Sequence, residues 1–358
     1  MKKIMMIAAI CAVVVGMAIC LVVLHKPSNQ KTTKLYVYTW ADYIDPDIVA
    51  EFEKRHSCEV VIDTFDSNES MYAKLKAGAI GYDIITPTEY IMPLLLGDNH
   101  NNNLLESMDM SRLPNVERNI DRDLTSKWSC EWNVPYCFSC TGILWRKDKI
   151  PEGLKFLDWR DLFDPRLKKS VCIMDDIREL LGIALKVNGH SVNSRSKDEI
   201  DKAGALAKEW RNRSRKMDNE AYRTGVPAGE FAAAMAYNSD AIMILAAEGG
   251  ENFGYTIPTN GTISSMDVMC VMKTSRNKDL AFKFIDNLYD KTNAVRNSEY
   301  NCAPMPVKGL FESLPDKYKS LPLMKIDKAF KAQCEDIEDV GEDLEKYSSA
   351  WDKVKSEN

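Results

Sequence analysis

The chain has 358 residues, 45% of them hydrophobic and 28% charged, which is enough apolar side chain to exclude a mostly disordered protein. That length exceeds what one compact core commonly holds, so two lobes of roughly 150 residues each are expected. The formal charge is −6, and Lys2, Lys3 and Lys26 lie in a leading segment, so the remainder is more acidic still. With no block of Lys and Arg, the chain is a poor match for nucleic acid, whose phosphates draw basic grooves, and a better one for a cation.

In chain order, residues 1–30 come first. Lys2 and Lys3 precede an apolar run from Ile4 to Leu24, and the chain turns polar at His25-Lys26-Pro27-Ser28-Asn29-Gln30. This is the pattern of a bacterial export signal, whose apolar stretch is usually about 7 to 15 residues; a bilayer span needs about 17 to 25, and this run is nearer the span. The folded body is therefore expected in the periplasm or at the cell surface, tethered to the inner membrane, with the N-terminus in the cytoplasm. Lipid attached at Cys20 and an uncleaved anchor are both open routes to the tether.

From Lys34 onward, short apolar runs alternate with amphipathic stretches. Leu35 to Trp40 reads as a strand. Asp45-Pro46 reads as a cap with proline in the first turn of a helix that carries Ile48, Val49 and Phe52 on one face. Glu59 to Phe65 is a second strand, Asp66-Ser67-Asn68 caps a helix through Met71, Leu75 and Ala77, and Tyr82 to Thr86 is a third strand. The order βαβαβ implies a parallel sheet whose ligands sit at the carboxyl ends of the strands. Further on, Ser170 to Met174 is strand-like and runs into Asp175-Asp176-Ile177-Arg178-Glu179 and a helix. Ala232 to Tyr237 leads to Asn238-Ser239-Asp240, and Ser265 to Met272 reads as another strand.

Eight cysteines follow the apolar run, too scattered for a small disulfide scaffold. Only Cys137 and Cys140 are close, and they interrupt an extended stretch, where residues three apart face opposite sides; buried thiols fit better than a metal or redox pair. The four histidines have no metal-like spacing, and no hydrolase elbow, phosphate loop or dinucleotide fingerprint appears. Neither an enzyme nor a cofactor is expected.

Four segments carry a resemblance: Trp40-Ala41-Asp42-Tyr43-Ile44; Phe65-Asp66-Ser67-Asn68-Glu69 with Tyr72-Ala73-Lys74-Leu75; Tyr82-Asp83-Ile84-Ile85-Thr86-Pro87-Thr88; and Asp175-Asp176-Ile177-Arg178-Glu179. In these the chain resembles the spermidine/putrescine-binding proteins of bacterial ABC importers, from about Lys34 to Asp339-Val340-Gly341 and Tyr347. The resemblance implies an α/β, two-lobed periplasmic-binding-protein fold (type II-like), each lobe a mixed sheet flanked by helices, with a polyamine in the cleft between them. Lobe 1 is expected over residues 31–137 and 262–304, and lobe 2 over 138–261 and 305–358. It further implies a monomer that delivers its ligand to a membrane permease and ATPase. Another cation, an amino acid or a metal in the same fold, and a tethered polyamine sensor, stay open as alternatives.

By motif position, the resemblance implies that Trp40, Tyr43, Thr88 and Tyr90 line the cleft, that Asp176 and Glu179 take one ammonium end, and that Asp267 is the other main acid. Asp42 and Asp240 resemble acids of putrescine-selective members, and Tyr237 stands where spermidine receptors carry a tryptophan. The chemistry agrees, because a polyamine needs carboxylates at its charges and aromatic faces along its methylenes. Taken alone, Asp176-x-x-Glu179 is more often a helix cap, and Trp40 and Tyr43 ordinary packing. An acid inside an apolar strand, as at Asp267, is costly unless paired or functional. The chain departs from the family at Ser265, where an aromatic is expected, at Asn301 beside Tyr300, and at Ile337, where a glutamine is expected. All cleft acids are expected to be ionised in the empty protein and to repel one another, a strain the cation relieves as the lobes close.

Overall fold

A computed structural model of the protein describes residues 32–97, 103–125 and 128–356. The leading segment and Cys20 lie outside these residues, and among the described residues no helix is long and apolar enough to cross a membrane.

Strand β1 (Thr33–Thr39) alternates so that Leu35 and Val37 are buried on one face, and it pairs in parallel with β2 (Cys58–Thr64) and β3 (Ile84–Ile85). Helix α1 (Pro46–His56) joins β1 to β2. Its first turn is fixed by the Asp45 side chain, which accepts from the Asp47 N–H at 2.8 Å, and by Pro46, and Ile48, Val49 and Phe52 form its buried face. Helix α2 (Asn68–Lys76) joins β2 to β3, capped by Ser67, whose Oγ accepts from the Ser70 N–H. The βαβαβ order is thus observed. The third strand is shorter than expected, although backbone bonds from Asp83 and Thr86 to β1 continue its path on either side.

Two long strands of opposite direction follow. β4 (Val134–Arg146) and β9 (Thr262–Val271) pair antiparallel with one another, and β9 also pairs antiparallel with β3, so that β9 runs against β3 and β4 runs with it. Beyond them, β7 (Ala233–Tyr237) lies antiparallel to β4, and β5 (Val171–Ile173) lies parallel to β7 and to β6 (Lys216–Met217). β8 (Phe253–Thr256) pairs with β4 and β10 (Cys334–Asp336) with β9, both off the main strand order, which completes one sheet of 10 strands. Helix α3 (Ile177–Val187) follows β5, α4 (Lys197–Arg213) packs on it, α5 (Asn238–Ala246) follows β7, and α6 (Lys278–Leu288) covers the first region. Helix α7 (Leu344–Lys355) returns to α4 and α3, where the buried Tyr347 hydroxyl donates to the Val192 and Ser194 carbonyls.

The apolar cores divide the sheet into two regions. Around β1 and β3, Leu35, Val37, Ile48, Phe52, Tyr136, Met269 and Phe284 pack on one face, and Tyr38, Phe65, Ile85, Met92 and Val268 on the other. Around β5 and β7, a separate core holds Ile143, Leu144, Trp159, Ile173, Leu181, Trp210 and Phe231. β4 and β9 run from one core to the other, with Tyr136 and Met269 in the first and Ile143 and Ile263 in the second. Cys137 and Cys140 lie on β4 as buried thiols, Cys137 beside Asp267 and Cys140 beside Cys334 and Tyr255. Gly142 follows because Tyr255 lies so close over β4 that any Cβ there would run into its ring.

Candidate functional site

Register on the two crossing strands builds the floor of the site. Asp267 on β9 stands opposite Cys137 on β4, Ser265 opposite Ser139, and Ser264 opposite Cys140. Directly opposed residues share a sheet face and alternate residues along a strand do too, so Asp267, Ser139, Ser265 and Thr141 line one face. Cys137 and Thr141, four residues apart, are about 13 Å from one another along the strand. Between them the small Ser139 and Ser265 leave a shallow trough.

At one end, Asp267 is 8% exposed, sits in the middle of a strand and forms no salt bridge among the described residues. The Thr88 hydroxyl donates to its Oδ1 at 2.6 Å and the Tyr43 hydroxyl donates to its Oδ2. Burial pushes the carboxyl up to about 6 against the pull of these two donors, and it holds the Tyr43 phenol well above its ordinary value. Tyr43 is fixed from behind: its carbonyl accepts from the Tyr136 hydroxyl at 2.8 Å and from the Asn301 amide at 3.2 Å. Asn301, rather than its neighbour Tyr300, thus supports this end.

At the other end, Asp176 caps α3, its Oδ1 accepting from the Arg178 and Glu179 N–H groups at 2.8 and 2.9 Å. Glu179 Oε2 accepts from the Thr141 hydroxyl at 2.7 Å. Burial first, and the Asp176 charge second, push the Glu179 carboxyl up to about 8. Asp176 is raised too by burial, opposed by its backbone donors. The expectation that every cleft acid is ionised when empty therefore fails at neutral pH, because the low-polarity surroundings favour a proton on Glu179. Tyr237, paired with Thr141 across β4 and β7, is raised well above its ordinary value by burial and by Glu179 and Asp176, which places it at the same end.

The other predicted residues divide. Tyr90 is beside the site, donating to Glu69 Oε1 at 2.8 Å and accepting from the Asn68 amide at 3.3 Å. Trp40 packs on Phe65 with ring centroids 4.4 Å apart, its indole N–H buried and without a partner. Asp42 is exposed, with φ +53° in the left-handed region that favours glycine, and it lines a cavity of about 290 Å³ with Trp40, Tyr43, Glu53, Ile62 and Tyr300. Asp240 is held by its own neighbours: the Tyr222 hydroxyl donates to it and Arg223 lies at 3.2 Å. Thr141, Tyr222, Arg223 and Asn68 were missed because their roles depend on strand register and helix placement; only Asn68, within a quoted motif, carried a signal.

Among the described residues, Asp267, Asp176 and Glu179 form no salt bridge, whereas Asp240 does. Two sets of acids, held by hydroxyl and backbone donors but by no cation, face one trough. Such an arrangement can hold a molecule with separated positive charges and an apolar middle.

The chain is 30% identical over 338 residues to the putrescine/cadaverine-binding protein of Pseudomonas aeruginosa, covering 90% of this chain and 93% of that one. It is 29% identical over 282 residues to the spermidine/putrescine-binding periplasmic protein of Escherichia coli, covering 76% and 77%. Its fold superposes with a TM-score of 0.77 on the spermidine/putrescine ABC transporter substrate-binding protein PotD from Streptococcus pneumoniae, at 27% identity over 90% of this chain and 99% of that one. Residues 47–326 match the model of the bacterial extracellular solute-binding proteins, and with two cores joined by crossing strands around an acid-lined trough, the chain belongs to that family.

Proposed function

We propose that the protein captures a polyamine in the trough between its two regions and delivers it to the permease and ATPase of an ABC importer, as a monomer tethered outside the inner membrane by its leading segment. The observation that carries this reading is the pair of unbridged acid groups, Asp267 at one end and Asp176 with Glu179 at the other. An ammonium at each end replaces the missing cation, Ser139 and Ser265 leave room for the methylenes, and Tyr43, Tyr90 and Tyr237 offer aromatic faces. The regions around the two cores act as lobes that close about β4, β9 and the Asn301–Lys308 segment, the cation supplying the attraction that the empty acids lack. The names of the relatives, which include putrescine, cadaverine and spermidine binders, support the ligand class.

Isothermal titration of the full chain in mild detergent, with putrescine, cadaverine, spermidine and spermine beside lysine, tests the reading. Micromolar or tighter binding of an amine with lysine silent is expected. Silence with all four amines, from folded protein stripped of carried-over ligand, removes it.

A further inference from the structure

A third carboxylate approaches the Asp176 end from the other region of the molecule. Glu69 lies in the first turn of α2, exposed, and forms no salt bridge among the described residues. It is tied into the site by a continuous chain of hydrogen bonds. Thr88, which donates to Asp267, has its backbone N–H on Asn68 Oδ1 at 2.9 Å; the Asn68 amide donates to the Tyr90 hydroxyl at 3.3 Å; and that hydroxyl donates to Glu69 Oε1 at 2.8 Å. Asn68 is 5% exposed and cannot swing away without losing both contacts. Glu69 Oε2 has no hydrogen bond among the described residues.

Across the trough stands Asp176, close enough that the Glu69 charge acts on it and that the Asp176 charge acts on Tyr90. Two carboxylates on different elements, one in the first turn of α2 and one at the cap of α3, therefore lie within electrostatic reach of one another, neither of them in a salt bridge among the described residues, although the Arg178 charge also acts on Asp176. Like charges so placed repel unless a cation is shared.

We propose that Glu69 binds the same ammonium as Asp176, from the opposite region, so that a terminal primary amine joins the two regions at this end and the site selects ligands with a full charge there. This rests on the polyamine reading above. It assigns Tyr90 a positioning role, holding Glu69 toward the ligand.

The test is titration calorimetry of the full chain with putrescine, comparing the unsubstituted protein with Glu69→Gln, Tyr90→Phe, Asp176→Asn and the Glu69→Gln/Asp176→Asn pair, each checked for an unchanged melting profile without ligand. A shared ammonium predicts roughly a 5- to 30-fold loss for Glu69→Gln and a smaller loss for Tyr90→Phe, which keeps the carboxylate. In the double variant the losses should fall short of multiplying, as they do for residues on one partner. Glu69→Gln binding putrescine as tightly as the unsubstituted protein, or losing no more than Tyr90→Phe, overturns the assignment while leaving the polyamine reading intact. Unsubstituted protein that is silent to putrescine and to the other polyamines overturns both.

Discussion

The two ends of the trough hold acids by different means. At the Asp267 end the carboxylate stands on a strand, and two side-chain hydroxyls from distant segments, Thr88 and Tyr43, converge on its two oxygens. At the other end Asp176 is held by the first backbone N–H groups of its own helix, and Glu179, one turn along, leans on Thr141. The first arrangement is assembled by tertiary structure from three pieces of chain; the second is almost entirely local. The contrast teaches that a helix cap can serve a ligand at little added cost, because backbone donors already favour negative charge there. An acid inside a strand must be supplied with donors one by one.

The largest effect is expected where that supply is irreplaceable. Asp267→Asn should weaken polyamine binding by 10-fold or more, since a hydrogen bond to a charged group contributes roughly 1.5 to 3 kcal/mol; calorimetry reads it, and undiminished affinity takes Asp267 out of the site. Glu179→Gln comes next, with an expected loss of about 10-fold and a change in proton linkage. Glu179 and Asp267 carry pKa values of about 8 and about 6 in the empty folded protein, above the ordinary 4.5 and 3.8. Folding therefore retains protons that the unfolded chain loses, so the stability from these groups is full below the ordinary values and is lost as pH rises through about 6 and about 8.

A cation favours the ionised forms, so affinity should rise over the same interval, and titration at pH 7 in buffers of differing ionisation enthalpy should show release of roughly half to one proton per ligand. Glu179→Gln should abolish most of that release. A release that persists unchanged would place the titrating group at the Asp267 end instead.

Thr88→Val removes one of the two hydroxyls on Asp267. With a neutral-sized contribution of about 1 kcal/mol, the loss should be near 5-fold at pH 7 and should shift the pH profile upward, because the carboxylate loses a donor. The smallest effect belongs to Asp240→Asn, within about 3-fold for putrescine, since Tyr222 and Arg223 already satisfy that acid. A loss as large as that of Asp267→Asn would show that Asp240 turns from Arg223 to the ligand.

Much of this was legible from residue order. Asp45-Pro46, Ser67 and Asp176 each announce a helix start, and each is the observed cap. The alternation in Leu35 to Thr39 and the apolar run around Val268 announce strands whose faces the structure buries as expected. Asp267 stood out because an acid in an apolar strand needs a reason. Asp42 and Asp240 were harder. One sits at a left-handed turn open to solvent and the other beside an arginine, and neither circumstance is visible without neighbours in space.

The sequence by itself determined the local elements, the export-signal pattern of the leading segment, and the acid and aromatic inventory of a cation site, because capping, periodicity and composition act over a few residues. Tertiary structure decided which acids stay unpaired, how far apart they lie, and which of them holds a proton. Those depend on register between β4 and β9, on burial, and on groups brought close from more than a hundred residues away, as Thr88 is to Asp267 and Glu69 to Asp176, and electrostatic energy is set by distance and surroundings in space rather than by separation along the chain.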